Sequence, residues 1–241
     1  MPNWVYNNVR VNGTKEQILE MFNYGLKQDG KEPMTSPDNV INLKLTMESY
    51  IPMPQTYRDY DTTNKMPNRN AINWSTNKPM FNSDEEYQQY AENYKKAQTE
   101  QLEKYGVVGW YNWRCRNLGC KWDAKFEFGE FEKSLSDDGW TAWFNLETPW
   151  SIPLPFYEKI SNLFPELEFN IFCEEEFEEF AGSFKLKNGV ILANDMKWSY
   201  EEVQKAKAEE EEIEYLDWFQ FVPVGINHPP IYSIEYIVNE C

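Results

Sequence analysis

The chain reads as an α+β protein with a βαββαβ core, a long insertion after the first helix and a C-terminal extension of the sheet. Three observations lead there. Apolar and polar residues alternate at several separated places, as in strands with one buried face. At two places apolar residues instead recur every three or four positions, as on one helical face. The two patterns follow one another as strand, helix, strand, strand, helix, strand.

The first strand is carried by Val5, Val9 and Val11 between Trp4, Tyr6, Asn8 and Arg10, and Asn12-Gly13 ends it. Thr14-x-x-Gln17 has the form of a capping box, after which Ile18, Met21, Phe22 and Leu26 share a face. The stretch from 28 to 60 is irregular and Pro-rich, with a short strand expected over 40–45 and an extended Ile51-Pro52-Met53-Pro54. Residues 59–81, dense in Asn, Thr and Pro, predict a long surface loop. Ser83-x-x-Glu86 opens a polar helix that Gly106 closes, with Tyr87, Tyr90, Tyr94 and Leu102 as its thin apolar edge.

Ala124, Phe126 and Phe128 alternate with Lys125 and Glu127, Asp137-Asp138-Gly139 turns the chain, and 140–146 returns, which makes a hairpin. Pro149 and Pro153 bracket a helix start, and Phe156, Ile160, Leu163 and Phe164 form its buried face before Pro165. Leu167, Phe169 and Ile171 mark the next strand. Phe180, Phe184 and Leu186 lead through Asn188-Gly189 into 190–192, a second hairpin. An acidic helix over 199–214 and a last strand at Tyr232, Ile234, Tyr236 and Val238 complete the chain.

With the middle stretch set aside, this order is the ferredoxin-like arrangement. Core strands are expected over 3–12, 124–132, 140–147 and 167–173, with helices near 14–27 and 153–164. The core thus takes 1–28 and 124–174, the insertion 29–123 and the extension 175–241, within a single domain 1–241.

Forty acidic side chains against 23 basic ones give a formal charge of −17 over 241 residues. Phosphate contacts need clustered Lys and Arg, so direct nucleic-acid binding is not expected. Ten Trp, 15 Tyr and 15 Phe supply enough large buried surface to fold the chain. Four cysteines are too few for a disulfide framework, no secretory signal is recognisable and the apolar runs are short, so a reducing host cytoplasm is expected. Edge strands of such a sheet would allow a homodimer.

Catalytic signatures are missing. The single His, His228, sits beside Pro229-Pro230, far from any strand-to-helix nucleophile turn. Cys115-x4-Cys120 has no second ligand pair, and no phosphate-cradling glycine loop occurs. The glutamate runs 174–179 and 209–214 lack calcium-loop spacing and read as solvated faces. No catalytic residue, metal ligand or cofactor is therefore expected.

Several strings together resemble the YubB-like proteins of plasmids and phages, mostly of unknown function: Met1-Pro2-Asn3-Trp4 with Asn12-Gly13, Ile51-Pro52-Met53-Pro54, and Trp113 followed by Asn117-Leu118-Gly119-Cys120-Lys121-Trp122-Asp123. Thr148-Pro149-Trp150-Ser151-Ile152-Pro153, Phe164-Pro165-Glu166-Leu167 and Glu174 followed by Phe180-Ala181-Gly182 continue the match over 1–182. Two positions depart from the family pattern: Leu118 stands where a Trp is usual, and the glycine usual soon after the acid matching Glu174 is replaced by glutamates. The resemblance implies a ferredoxin-like domain and a mobile-element origin, and no established activity.

Residues 107–122 form the only locally basic stretch. Trp4, Trp113, Trp122 and Trp150 with Arg114, Arg116, Lys121 and Asp123 would make a pocket that stacks a base and neutralises phosphates. The alternative is that these indoles pack the insertion onto the sheet while Lys121 and Asp123 pair at its rim. Three classes follow: a non-enzymatic phage or plasmid binding protein that captures a nucleotide-like small molecule or blocks a host defence protein; an acidic nucleic-acid mimic; or a metal-dependent enzyme acting on nucleotides through Asp123 or Glu174.

Overall fold

A computed structural model describes residues 2–36, 43–63, 65–73, 75–133 and 139–211. The expected last strand, His228, Cys241 and the end of the acidic helix lie outside them. The chain divides into two compact units, Met1–Pro52 with Arg116–Cys241, and Met53–Cys115. The smaller unit, 53–115, falls inside the stretch 29–123 expected as one insertion, and the flanks of that stretch group with the larger unit.

In the larger unit β1 (Trp4–Gly13) leads into α1 (Lys15–Gln28). Thr14 caps this helix through a complete capping box with Gln17, as its spacing predicts. The described part of the expected 40–45 strand, 43–45, is irregular. Leu45 accepts from Phe126 N at 2.9 Å, Met47 N donates to Ala124 at 3.1 Å, and a 3-10 turn follows at Met47–Ser49. Those bonds occupy 124–126, so the next strand starts later than expected.

The small unit holds α2 (Gln55–Asp59), a two-residue hairpin of β2 (Ile72–Asn73) with β3 (Lys78–Pro79), and α3 (Asp84–Tyr105). The stretch 28–60 expected to be irregular thus contains a short helix near its end, and the expected 59–81 loop contains the hairpin. Ser83 caps α3, and Gly106 closes it at φ 76° in the left-handed region that glycine tolerates. Its buried edge is Ala91, Tyr94, Ala97 and Gln101 rather than the expected Leu102, which is 58% exposed. The unpredicted helix α4 (Trp110–Leu118) crosses the boundary between the units.

Then come β4 (Glu127–Lys133), β5 (Trp140–Pro149), α5 (Leu154–Leu163), β6 (Glu168–Glu175), β7 (Ala181–Lys187), β8 (Val190–Lys197) and α6 (Tyr200–Glu211). Among the described residues the sheet has six strands in the order β4-β5-β1-β6-β7-β8, antiparallel throughout. Asn188 (φ 50°) and Gly189 (φ 68°) make the β7–β8 turn with the two positive φ values that such a hairpin demands.

One sheet face is buried. Val9 stands between Phe144 and Ile171 in the register, and Phe184 lies beyond Ile171. Against this face pack Phe22 of α1 and Phe156 and Tyr157 of α5. Phe126 stacks on Phe144 at 4.7 Å and on Tyr50 at 5.5 Å, which joins the 3-10 segment to the same core. The opposite face carries the even-numbered residues of β1. Part of it meets α6, whose Lys207 binds Glu174 and Glu178 at 2.8 and 2.7 Å.

Candidate functional site

Strand alternation aims Tyr6 and Asn8 away from the helices. The register then carries a polar row across the strands: Tyr6 is opposite Glu147 and Glu174, Asn8 is opposite Asn145, and Asn145 is opposite Glu127. A groove of about 400 Å³ opens here, lined by these β1, β4 and β5 residues together with Trp4, Trp122, Asp123, Lys125 and Pro149.

Three indoles meet beside it. The Trp122 ring lies 6.1 Å from that of Trp4 and 5.6 Å from that of Trp150. Trp122 and Trp150 remain 38% and 42% exposed, which leaves part of each ring open beside the groove. The Lys121 ammonium stands 5.6 Å from the Trp122 ring and 5.9 Å from the Trp150 ring, within cation–π range of both.

Specific backbone geometry holds the indoles. Trp150 has φ 63°, a left-handed conformation uncommon for a bulky residue, and its N–H donates to Asn3 at 2.8 Å. Ser151 Oγ donates to Gly119 O at 2.6 Å, and the Cys120 thiol to Trp122 O at 3.1 Å. Gly119 sits at φ 79° against Pro153 and Pro155, where a Cβ would approach to 2.9 and 2.7 Å. Trp4 is tied at both ends: its N–H reaches Glu176 Oε2 at 3.2 Å, and its carbonyl accepts from Glu176 N at 2.8 Å.

Beneath the groove the Asn7 side chain is buried. Its amide donates to Val5 O, Leu146 O and Thr148 Oγ1 at 3.0 to 3.2 Å, and its carbonyl accepts from the Cys173 thiol at 3.2 Å. Burial pushes the Cys173 thiol well above its ordinary pKa, so it stays protonated and acts as a donor. Tyr157 is also pushed up by burial, with Cys173 and Cys120 adding to the effect.

Of the residues expected to form a pocket, Trp4, Lys121, Trp122 and Trp150 do come together, and Asp123 lines the groove. Asp123 Oδ1 accepts the Glu48 N–H at 3.1 Å, a structural use that the sequence did not suggest. Neither arginine lines the groove. Arg114 lies over Trp110 at 5.5 Å in the small unit, where Trp113 is buried against Tyr57. Arg116 sits where its charge acts on Lys159. Desolvation first, and that charge second, lower the Lys159 amine to about 8. The expected phosphate-neutralising trio is thus reduced at this site to Lys121. Tyr6, Asn8, Glu127, Asn145 and Glu147 were missed, although the period-two pattern that marked their neighbours as core also marks them as outward-facing.

Among the described residues no group of three His, Cys, Asp or Glu side chains is placed to hold a metal ion. No helix among them is long and apolar enough to cross a membrane.

The chain matches no family model and no curated protein. A solved structure to which it is similar is that of protein api92 from Yersinia pseudotuberculosis, described by the family model DUF1281. The identity is 9%, 82% of this chain and 98% of that one are covered, and the TM-score is 0.35. A likeness of that degree carries no argument about activity.

Proposed function

We propose that the chain is a non-enzymatic binding protein of phage or plasmid origin, acting in the host cytoplasm to sequester or block a host component as a counter-defence, and that it binds through the indole-walled groove. The observation that carries the binding site is the convergence of distant strings on one place. Trp4, Lys121-Trp122-Asp123 and Pro149-Trp150-Ser151 are far apart in sequence, yet they meet there with two indoles left open. These are also strings on which the YubB-like resemblance rests. The strained backbone at Trp150 adds support, since such outliers concentrate where a side chain must be held for use. The strand order β4-β5-β1-β6, with α1 and α5 on one face, supports the ferredoxin-like reading of the core.

The open indoles suit a planar group of the size of a nucleobase, the ligand expected from the sequence. Native mass spectrometry of the protein from its host, with release of anything bound, tests the reading. Co-purification of a defined molecule or host protein, lost in Trp122→Ala with the fold retained, is the expected result. Capture unchanged in that variant overturns the groove. A second reading, an acidic protein that occupies a basic partner surface, is favoured by the net charge of −17.

A further inference from the structure

The charge of the groove points away from a phosphate-bearing ligand. Its ionisable lining, apart from Tyr6, is Asp123, Glu127 and Glu147 against Lys125, and Lys121 stands beside it with its ammonium held over the Trp122 and Trp150 rings. Asp123 is engaged by the Glu48 N–H. Glu127 and Glu147, by contrast, make no side-chain hydrogen bond or ion pair among the described residues, and both are exposed. Glu127 pairs in register with Asn145, two residues before Glu147, so the two carboxylates are diagonal neighbours on the open face. Such neighbours have their backbones about 7–8 Å apart, close enough for two long acidic side chains to converge on one cation.

The chain already shows what its open-face indoles attract. Lys121 holds its ammonium between Trp122 and Trp150, and on β1 the Arg10 guanidinium lies 5.2 Å over Trp143, its register partner. We infer that the groove binds a guanidinium group, the side chain of an arginine presented by a partner protein. Its flat face would lie on the Trp4 and Trp122 wall, and its N–H groups would be directed to Glu127 and Glu147. Guanidinium fits better than ammonium because it is planar, stacks on indoles, is weakly hydrated and presents forked donors to carboxylates. A basic partner also suits a chain of charge −17. This inference rests on the groove reading above and names the class of its occupant.

The test uses N-acetyl-arginine amide, its neutral isostere N-acetyl-citrulline amide, and AMP as probes on the full-length protein. Indole N–H resonances are followed by NMR and assigned by their loss in Trp4→Phe and Trp122→Phe. The arginine probe is expected to shift the Trp4 and Trp122 signals, while citrulline and AMP leave them in place. Glu127→Gln with Glu147→Gln, at exposed positions that leave the core untouched, should weaken arginine binding about tenfold. Lys121→Met, which removes the resident cation, should strengthen it about fivefold. Equal shifts from citrulline, shifts from AMP alone, silence of both indoles, or arginine binding indifferent to the double variant would each overturn the inference. Shifts from AMP at Trp4 and Trp122 would do so while leaving the groove itself in place as the binding site.

Discussion

Two side chains show how single positions are set by their surroundings. Lys159 keeps an amine near 8 because burial removes water from its ammonium, with the Arg116 charge adding to the effect and Asn117 Oδ1 as its hydrogen-bond acceptor. A lysine pKa lowered in the folded state means that the unfolded chain holds the extra proton between about 8 and the ordinary value of 10.5. Stability should therefore rise with pH across that window. Denaturant midpoints at neutral pH and near the upper end of the window should show this gain in the wild type and lose it in Lys159→Met. The group is part-exposed, so the gain is expected to stay at about 1 kcal/mol or less. Gly119 is constrained by space and by φ together, with backbone atoms of Pro153 where a Cβ would go. Gly119→Ala should cost about 2 kcal/mol in a thermal melt. It should also alter the fluorescence of Trp122, whose carbonyl the neighbouring Cys120 thiol engages.

At the scale of elements, α3 shows a helix whose ends are legible and whose face is not. Ser83 and Gly106 cap it where their residue types predict, because a cap is a local hydrogen-bonding device. Hydrophobicity points to Tyr94, which is buried, and to Leu102, which is exposed, while the small unit buries the polar Gln101 beside it. Gln101 Nε2 donates to Thr56 O at 2.9 Å, and its Oε1 accepts from Gly109 N at 3.0 Å and from the Thr62 hydroxyl. Gln101→Leu strands these buried groups and should destabilise the protein by about 2 kcal/mol or more. Leu102→Gln on the solvent side should stay within about 0.5 kcal/mol. Equal losses in chemical denaturation would refute the assignment of faces. The helix at Trp110–Leu118 is not legible for a related reason: its aromatic and cationic residues have no strong amphipathic period.

At the scale of the whole molecule, 40 acidic side chains against 23 basic ones make self-repulsion the dominant long-range field. Raising sodium chloride from about 20 to about 500 mM shortens the screening length several-fold and should raise the melting temperature by about 3 °C or more. A fall instead would mean that attractions such as Lys207 with Glu174 and Glu178 outweigh the repulsion. The same net charge frames the groove, where carboxylates outnumber cations although the nearest sequence, 107–122, is locally basic.

The strands of the large sheet, the two helices over it and their order were legible from the chain alone, because alternation and helical spacing are short-range consequences of residue type. So was the interest of Trp4, Lys121, Trp122 and Trp150. Only the tertiary structure decided that 53–115 forms a separate unit, that Trp113 and Arg114 belong to it, and that Glu127 and Glu147 line one groove with Trp4 and Trp122. Register and chain crossing bring residues more than a hundred positions apart onto one face. No local pattern encodes that proximity, so the sign of the groove's charge emerges only when the strands are paired.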